Sequence, residues 1–384
     1  MAIDIFEQER GQFSALKDWT YVDHGSAGLV PRYAVEAMKA HLEYRNRDGI
    51  AVCNLWDYAD TVREKIGRMI GCDSDEVVYG QSSTQLLNIF ADSIPLSAGD
   101  NIVTTDGVFP ADAYVWLNKA NEGIELRYAP MSVDGITPEQ LMSYTNEHTR
   151  AVLLCMAENG SGWRHDVKTI GRLCHEKGIL FIVDVTQCIN ALRIDVRDMN
   201  IDMLTSSTYK WMLGLVGLGF GYIRRELMQS LRQSVCGWVG SVDRRNNIAT
   251  ELRLSGDAKR YELGGISFTA LLGLEQVINR YFELGPEKIE ARIMELVRYT
   301  YSSEKKRLAR IMLTAEFPTE NRSGLVMFRI PEGMTVTDDM LAAHGVRARV
   351  MHGTTIRTGL HYMNNFKDVD RLIDALCSIE KVCR

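Results

Sequence analysis

The residues best equipped for chemistry lie in one stretch, Phe181 to Leu213. Residues Ile179 to Val183 form a short, β-branched apolar run bounded by Gly178 and Asp184, the pattern of a buried parallel strand. An acidic residue at the carboxyl end of such a strand stands where open α/β sheets bind ligands, so Asp184 is expected to face a site. Lys210 follows Ser206, Ser207, Thr208 and Tyr209 and precedes an apolar, glycine-rich segment. Burial there disfavours the ammonium form, lowers the pKa and makes the amine a usable nucleophile and base. A carboxylate with a depressed lysine points to pyridoxal phosphate (PLP). The lysine forms a Schiff base, and the aspartate keeps the pyridine nitrogen protonated so that the ring draws electrons. A lone lysine would more simply be a surface residue, so the reading rests on its neighbours.

Those neighbours carry a family likeness. Asp184, Gln187, Ser207 and Lys210 together resemble the class V aminotransferase and cysteine desulfurase group of fold-type I PLP enzymes, and the resemblance covers nearly the whole chain. It implies an α/β fold with a mostly parallel seven-stranded large-domain sheet and a smaller α+β C-terminal domain. Residues 1–30 would lie over the active site, 31–270 form the large PLP-binding domain, and 271–384, with part of the N-terminus, the small one. The resemblance makes Asp184 the pyridinium partner, Gln187 a donor to the ring's phenolic oxygen, Ser207 a phosphate ligand and Lys210 the Schiff-base residue. Tyr209 stands where desulfurases have His and is similar to the kynureninase Tyr that reaches the phosphate.

The elements that must position these groups can be read from periodicity. Helical patterns are expected near 6–16, 33–46, 56–70, 138–146, 167–177 and from Pro286 to Met312, alternating with strands at Asn101–Thr104, Ile124–Ala129 and Ala151–Met156. The alternation implies right-handed βαβ units. In VVYGQSST, Ser83 and Thr84 open a helix, whose unpaired amides and dipole favour an anion; they fall where the family holds the cofactor phosphate. An ordinary Ser/Thr cap is the plainer alternative. Phe109 occupies the place of a ring-stacking desulfurase His, and Phe109 to Asp112 resembles the FPTD segment of kynureninases, which makes Phe109 and Asp112 cofactor contacts. Phe can stack but cannot carry a proton, so acid and base work falls to Lys210 or Tyr209. Asn159 resembles the turn Asn that contacts the phenolic oxygen or the substrate carboxylate. The glycines at 214, 217, 219 and 221 precede a strand rather than open a helix, which fails the dinucleotide-binding test.

Substrate contacts are expected from both ends of the chain. The loop TYVDHGSAGLVP resembles the family's segment over the active site, offering His24 and Ser26. Trp238, in CGWVG, resembles a residue near the neighbouring subunit's substrate. Gly265 and Ser267 replace the Thr and Asn of the segment that usually reaches the partner's phosphate, leaving Ser267 or a backbone amide for that contact. Near the C-terminus strands are expected at 325–330, 346–350 and 354–358, with a closing helix at 366–377. There TIRTGLHYMNN places Arg357 on the arginine that binds the substrate α-carboxylate, a task suited to a planar bidentate donor. His361 and Asn364 read as structural.

Composition narrows the function classes. The chain has 384 residues, 46% hydrophobic and 24% charged, with a net charge of -6, which argues against nucleic acid or an anionic membrane as partner. No signal-like or membrane-spanning stretch stands out, so a cytoplasmic protein is expected. The 8 cysteines lack CxxC or metal-ligand spacing, which argues against disulfide and zinc frameworks. No cysteine lies between Arg329 and Arg357, where desulfurases keep their persulfide residue. The leading expectation is therefore a lyase cleaving at the β-carbon of an amino acid without a persulfide cysteine. The alternative is a class V aminotransferase, and a third reading is an epimerase or other α-carbon enzyme; an idle PLP-binding protein is a fourth. The resemblance further implies a homodimer with shared sites.

Overall fold

Short β-branched runs separated by helices give this chain its layered form. The computed structural model describes residues 4–49, 52–242 and 249–382. In chain order the strands are β1 (Thr20–Tyr21), β2 (Val77–Gly80), β3 (Asn101–Thr105), β4 (Glu125–Ala129), β5 (Thr149–Cys155), β6 (Leu180–Asp184), β7 (Met203–Ser207) and β8 (Gly219–Ile223), followed by β9 (Met312–Leu313), β10 (Leu325–Arg329), β11 (Val346–Arg347), β12 (Arg349–Met351) and β13 (Thr355–Gly359). Strands β2 to β8 form a seven-stranded sheet ordered β2-β8-β7-β6-β5-β3-β4, parallel except where β8 runs against both neighbours. Phe181, Ile182 and Val183 of central β6 are 0% exposed, because helices cover both faces. Each such side chain stabilises the fold by about 1.5–3 kcal/mol relative to exposure.

The C-terminal α+β domain is built on the antiparallel sheet β12-β13-β10-β9, packed by the helices Pro286–Arg307 and Phe366–Val382. The N-terminal segment is tied to it, since β1 pairs in parallel with β11. No described helix is long and apolar enough to cross a membrane.

Several expected boundaries move for local reasons. The helix expected at 6–16 stops after Arg10, at Gly11, and a 3-10 turn, Ser14–Lys17, follows so that Phe13 and Leu16 can be buried. The helix expected at 138–146 ends at Met142, because the next turn is redirected: Asn146 N donates to the Thr149 hydroxyl on β5. The long helix from Pro286 ends at Arg307 rather than 312, where Met312 and Leu313 pair with β10.

Candidate active site

Six strands of the large sheet, β2 to β7, point their carboxyl ends the same way, and expected site residues cluster at the ends of five of them and on the turns that follow. β2 leads to Ser83, β3 to Phe109, β5 to Asn159, β6 to Asp184 and Gln187, and β7 to Ser207 and Lys210. β2 joins this edge because it lies antiparallel to β8, itself antiparallel to β7.

Lys210 is 8% exposed, and its Nζ lies 5.2 Å from the Phe109 ring centroid and 5.6 Å from that of Tyr209. Among the described residues Nζ has no hydrogen-bond or ion-pair partner. Burial holds its pKa below the ordinary lysine value, Asp184 pulls it back up and Arg357 adds to the lowering. The turn after it is tight: Leu213 donates from its backbone N to Lys210 O at 3.0 Å and adopts φ 53°, a left-handed conformation costly for leucine. The N-terminal loop crosses directly above, where Gly28 N donates to Tyr209 O at 2.8 Å. A Cβ on Gly28 would stand 2.0 Å from Lys210 O, so only glycine fits that crossing.

Asp184 is buried and fixed from two sides, accepting from Thr186 N at 2.7 Å on Oδ1 and from the Thr205 hydroxyl at 3.2 Å on Oδ2. Asp112 lies close by in the first turn of the helix Pro110–Leu117, where its Oδ2 accepts from Cys155 Sγ at 3.3 Å. Burial, and after it the Asp184 charge, pushes its carboxyl well above the usual carboxylate range. Glu158 adds a third buried carboxyl. Its Oε1 accepts from the Thr105 hydroxyl and meets His165 Nε2, each at 2.8 Å. Glu158, His165 and Cys155 were missed in the sequence, where nothing marks them apart from ordinary turn and core residues.

The start of the helix Ser83–Ser93 is arranged for an anion. Ser82 caps it by accepting from Gln85 N at 3.2 Å, and Ser207 Oγ accepts from Ser83 N at 3.0 Å, which joins Ser207 to the helix end. Thr84 is exposed on this turn.

Opposite Lys210, a line of side-chain amides leads to the small domain. Trp211 Nε1 donates to Gln187 Oε1 at 2.9 Å, and since an indole only donates, the Gln187 amide nitrogen must face away. That nitrogen donates to Asn159 Oδ1 at 2.7 Å and to Gly25 O at 3.1 Å. Both Gln187 donors are thus held by protein oxygens in this structure. Arg357 Nη1 donates to the same Asn159 oxygen at 2.5 Å, and its Nη2 donates to the Ser26 hydroxyl and stands 3.6 Å from Asp23 Oδ1. Ser26 therefore lies beside Arg357, as a substrate contact would. His24 does not: it is 0% exposed, its Nδ1 bonds Gly359 O at 3.0 Å, and it packs against Trp211 and His361. Its expected substrate contact is replaced by a place in the core. Trp238 is half exposed and packs edge-on against Trp56 at 5.8 Å. Ser267 caps the helix Phe268–Leu284, its Oγ accepting from Ala270 N at 3.3 Å.

This arrangement can be set against known proteins. The family model for aminotransferase class-V matches residues 21–372. The chain belongs to that family. A probable cysteine desulfurase of Methanothermobacter thermautotrophicus is 25% identical, over 96% of this chain and 97% of its own. An uncharacterized aminotransferase of Bacillus subtilis, YcbU, is 25% identical over 78% and 80%. Among solved structures, the apo cysteine desulfurase of Thermococcus onnurineus NA1 superposes with a TM-score of 0.89 at 21% identity, covering 99% of both chains. The class V chain is thus a fold-type I, PLP-dependent enzyme.

The residues present fit PLP. Lys210 offers a buried amine with no hydrogen-bond or ion-pair partner among the described residues, facing an aromatic ring, with the carboxylate of Asp184 near it and an anion-ready helix end beside Ser207. One expectation falls. The β-carbon lyase working without a persulfide cysteine is overturned by these matches, since the family model is that of the class V aminotransferases and the relatives are named as desulfurases, as uncharacterized aminotransferases and, in one case, as an epimerase. They back the aminotransferase alternative.

Proposed function

We propose that this class V enzyme is an aminotransferase, moving the amino group of an α-amino acid to a 2-oxo acid. The observation that carries the reading is the unpaired, buried Lys210 amine standing between the rings of Phe109 and Tyr209, with Asp184 behind and Arg357 across the site. When bound, PLP supplies an electron-withdrawing ring that accepts the negative charge left on the substrate's α-carbon. Lys210 and Asp184 would hold the cofactor, with Ser207, Thr84 and the amides of the helix Ser83–Ser93 at its phosphate and Phe109 over its ring. Ser83 contributes its backbone, already joined to Ser207. Burial, and after it the Asp184 charge, keeps the Asp112 carboxyl protonated to higher pH than an exposed aspartate, which limits the negative charge beside Asp184.

The chain's own residues then divide the work. Arg357 binds the substrate α-carboxylate in place of its bonds to Asn159 and Ser26, with the planar fork fixing orientation. Lys210, deprotonated at lower pH than an exposed lysine, would take the α-proton at Nζ and hold it there for return. Tyr209 lines the same pocket beside Lys210 Nζ, and the loop crossing at Gly28 keeps water from the lysine. We read the functional unit as a homodimer, with the half-exposed Trp238 facing a second copy; sedimentation of a fully active monomer would contradict this.

The deciding experiment adds single amino acids to PLP-loaded enzyme without an acceptor. An aminotransferase releases one equivalent of 2-oxo acid per subunit and stops until a second 2-oxo acid is supplied. Continuous 2-oxo acid formation without acceptor would overturn the proposal, and a protein that changes only the configuration of the α-carbon would replace it with epimerisation.

A further inference from the structure

Arg357 is not the only arginine on its face of the small sheet. Strands β12 and β13 are antiparallel with Arg349 directly opposite Arg357, while Val350 pairs with Ile356 on the other face. Directly opposite residues project from the same side, with Cβ atoms about 4.5–5.5 Å apart, and like charges in that position destabilise a sheet. Ile356 is buried in the core, which sends Arg357, and with it Arg349, toward the active-site side. The two arginines differ in depth. Arg357 is almost wholly buried, whereas the Arg349 side chain is 49% exposed and stands toward solvent.

The groups around this pair are acidic or polar. Asp23, from the N-terminal loop, lies 3.6 Å from Arg357 Nη2, and Asp338, at the start of the helix Asp338–Ala343, bonds Arg349 Nη1 at 2.9 Å while its other oxygen accepts from Val350 N. Both arginines draw the Asp23 carboxyl down against the larger upward effect of its burial, and Arg349 adds to the lowering of the Arg357 pKa. Among the described residues Tyr21, Tyr209 and Lys210 are the other titratable groups that interact with this set. The Arg349–Asp338 pair is half exposed on both sides, the kind of ion pair that holds weakly and exchanges readily.

We propose that Arg349 is a specificity-determining residue that receives a second carboxylate, so that the amino acid accepted here is a short dicarboxylic one. This rests on the reading of Arg357 as the α-carboxylate site. Arg357 takes the α-carboxylate inside, and the side-chain carboxylate exchanges with Asp338 for Arg349 at the mouth. Two arginines side by side then serve two anions on one molecule, which gives the like-charged pair a use.

The probes are glutarate and butyrate, two unreactive acids that differ by one carboxylate, titrated calorimetrically into the PLP-loaded protein. Glutarate should bind at least about tenfold tighter than butyrate. Arg349→Gln should weaken glutarate by about 10- to 100-fold while butyrate stays within about twofold, and Arg349→Lys should retain part of the preference. Arg349 is on the surface, so the substitution leaves the core untouched. Equal binding of the two acids by the parent protein overturns the proposal, as does an Arg349→Gln variant that weakens both acids alike, which would mean that β12 had simply shifted. Failure of the underlying reading looks different. A protein that shows no visible cofactor band with PLP, or whose Arg357→Gln variant binds butyrate unchanged, loses the α-carboxylate site itself.

Discussion

The two cationic groups that face each other across the site live under opposite conditions. Lys210, on the large-sheet side, has no hydrogen-bond or ion-pair partner among the described residues, and burial keeps it below its usual pKa. Arg357, on the small-sheet side, is bonded to Asn159 and Ser26 and sits near Asp23. An unpaired amine gains by forming a covalent bond to a carbonyl, so its chemistry is ready in place. A guanidinium whose two Nη atoms already hold neutral oxygens, while its buried Nε has no partner, gains from a carboxylate by exchanging those bonds for charged ones, so its binding is an exchange. Covalent attachment and substrate recognition are therefore tuned separately in this molecule: the first by removing partners, the second by supplying replaceable ones.

The comparison breaks most visibly at the lysine. Lys210→Ala should abolish the visible band of the lysine-bound cofactor and lower turnover by about a thousandfold or more, since nucleophile and base are lost together. A normal band in that variant would remove Lys210 from its role. Next comes Arg357→Gln, which keeps hydrogen bonding but removes the charge. Its KM for an amino acid should rise by roughly a hundredfold with the visible band intact, and an unchanged KM would show that the carboxylate is held elsewhere.

How much of this was legible in the sequence follows the same division. Asp184, Gln187, Ser207 and Lys210 sit at the ends of strands or on the turns after them, so a short continuous apolar run followed by a polar residue already marks their place. Arg357 could be placed by family likeness because it lies on a regular strand, β13. What stayed hidden depends on residues far apart in the chain. Nothing local tells that Trp211 donates to Gln187, that Glu158 meets His165 between two turns, or that Arg349 and Arg357 are strand partners. His24 misled for a related reason. Its loop does cross the site, as Gly28 shows, but its own side chain turns inward to Gly359 O.

That inward turn gives the Arg357 side a sensitivity the lysine side lacks. Burial lowers the His24 pKa to about 4 and holds His361 well below its ordinary value. In the unfolded chain a histidine protonates near its usual 6.5, while folded His24 stays neutral until about 4. Stability is therefore undiminished above pH 6.5 and falls as the pH drops from there toward 4, with His24 alone accounting for roughly 3 kcal/mol. Urea unfolding at pH 7, 6 and 5 should show the decline, and His24→Gln should flatten it. An identical slope in the variant would mean that other groups carry the acid sensitivity.

The smallest expected effect tests the join between the two sides. Trp211 follows Lys210 in sequence and stacks on His361 of the small domain at 5.4 Å, yet its indole N–H also fixes which end of the Gln187 amide faces Asn159. Trp211→Phe keeps a ring against His361 and removes only that donor. Without it the amide of Gln187 is free to reverse, and Asn159 Oδ1 loses the neighbour that turns it toward Arg357. One neutral hydrogen bond contributes about 1 kcal/mol, so KM should rise roughly three- to sixfold with little change in kcat. Packing alone would predict something else, because a cavity beside His361 lowers stability and does not act through Gln187. The cycle of Trp211→Phe, Gln187→Leu and the double variant separates the two: if the indole acts through the amide, its effect on KM disappears once Gln187 is gone, and if the effects simply add, the two sides of the site are joined by packing rather than by this hydrogen bond.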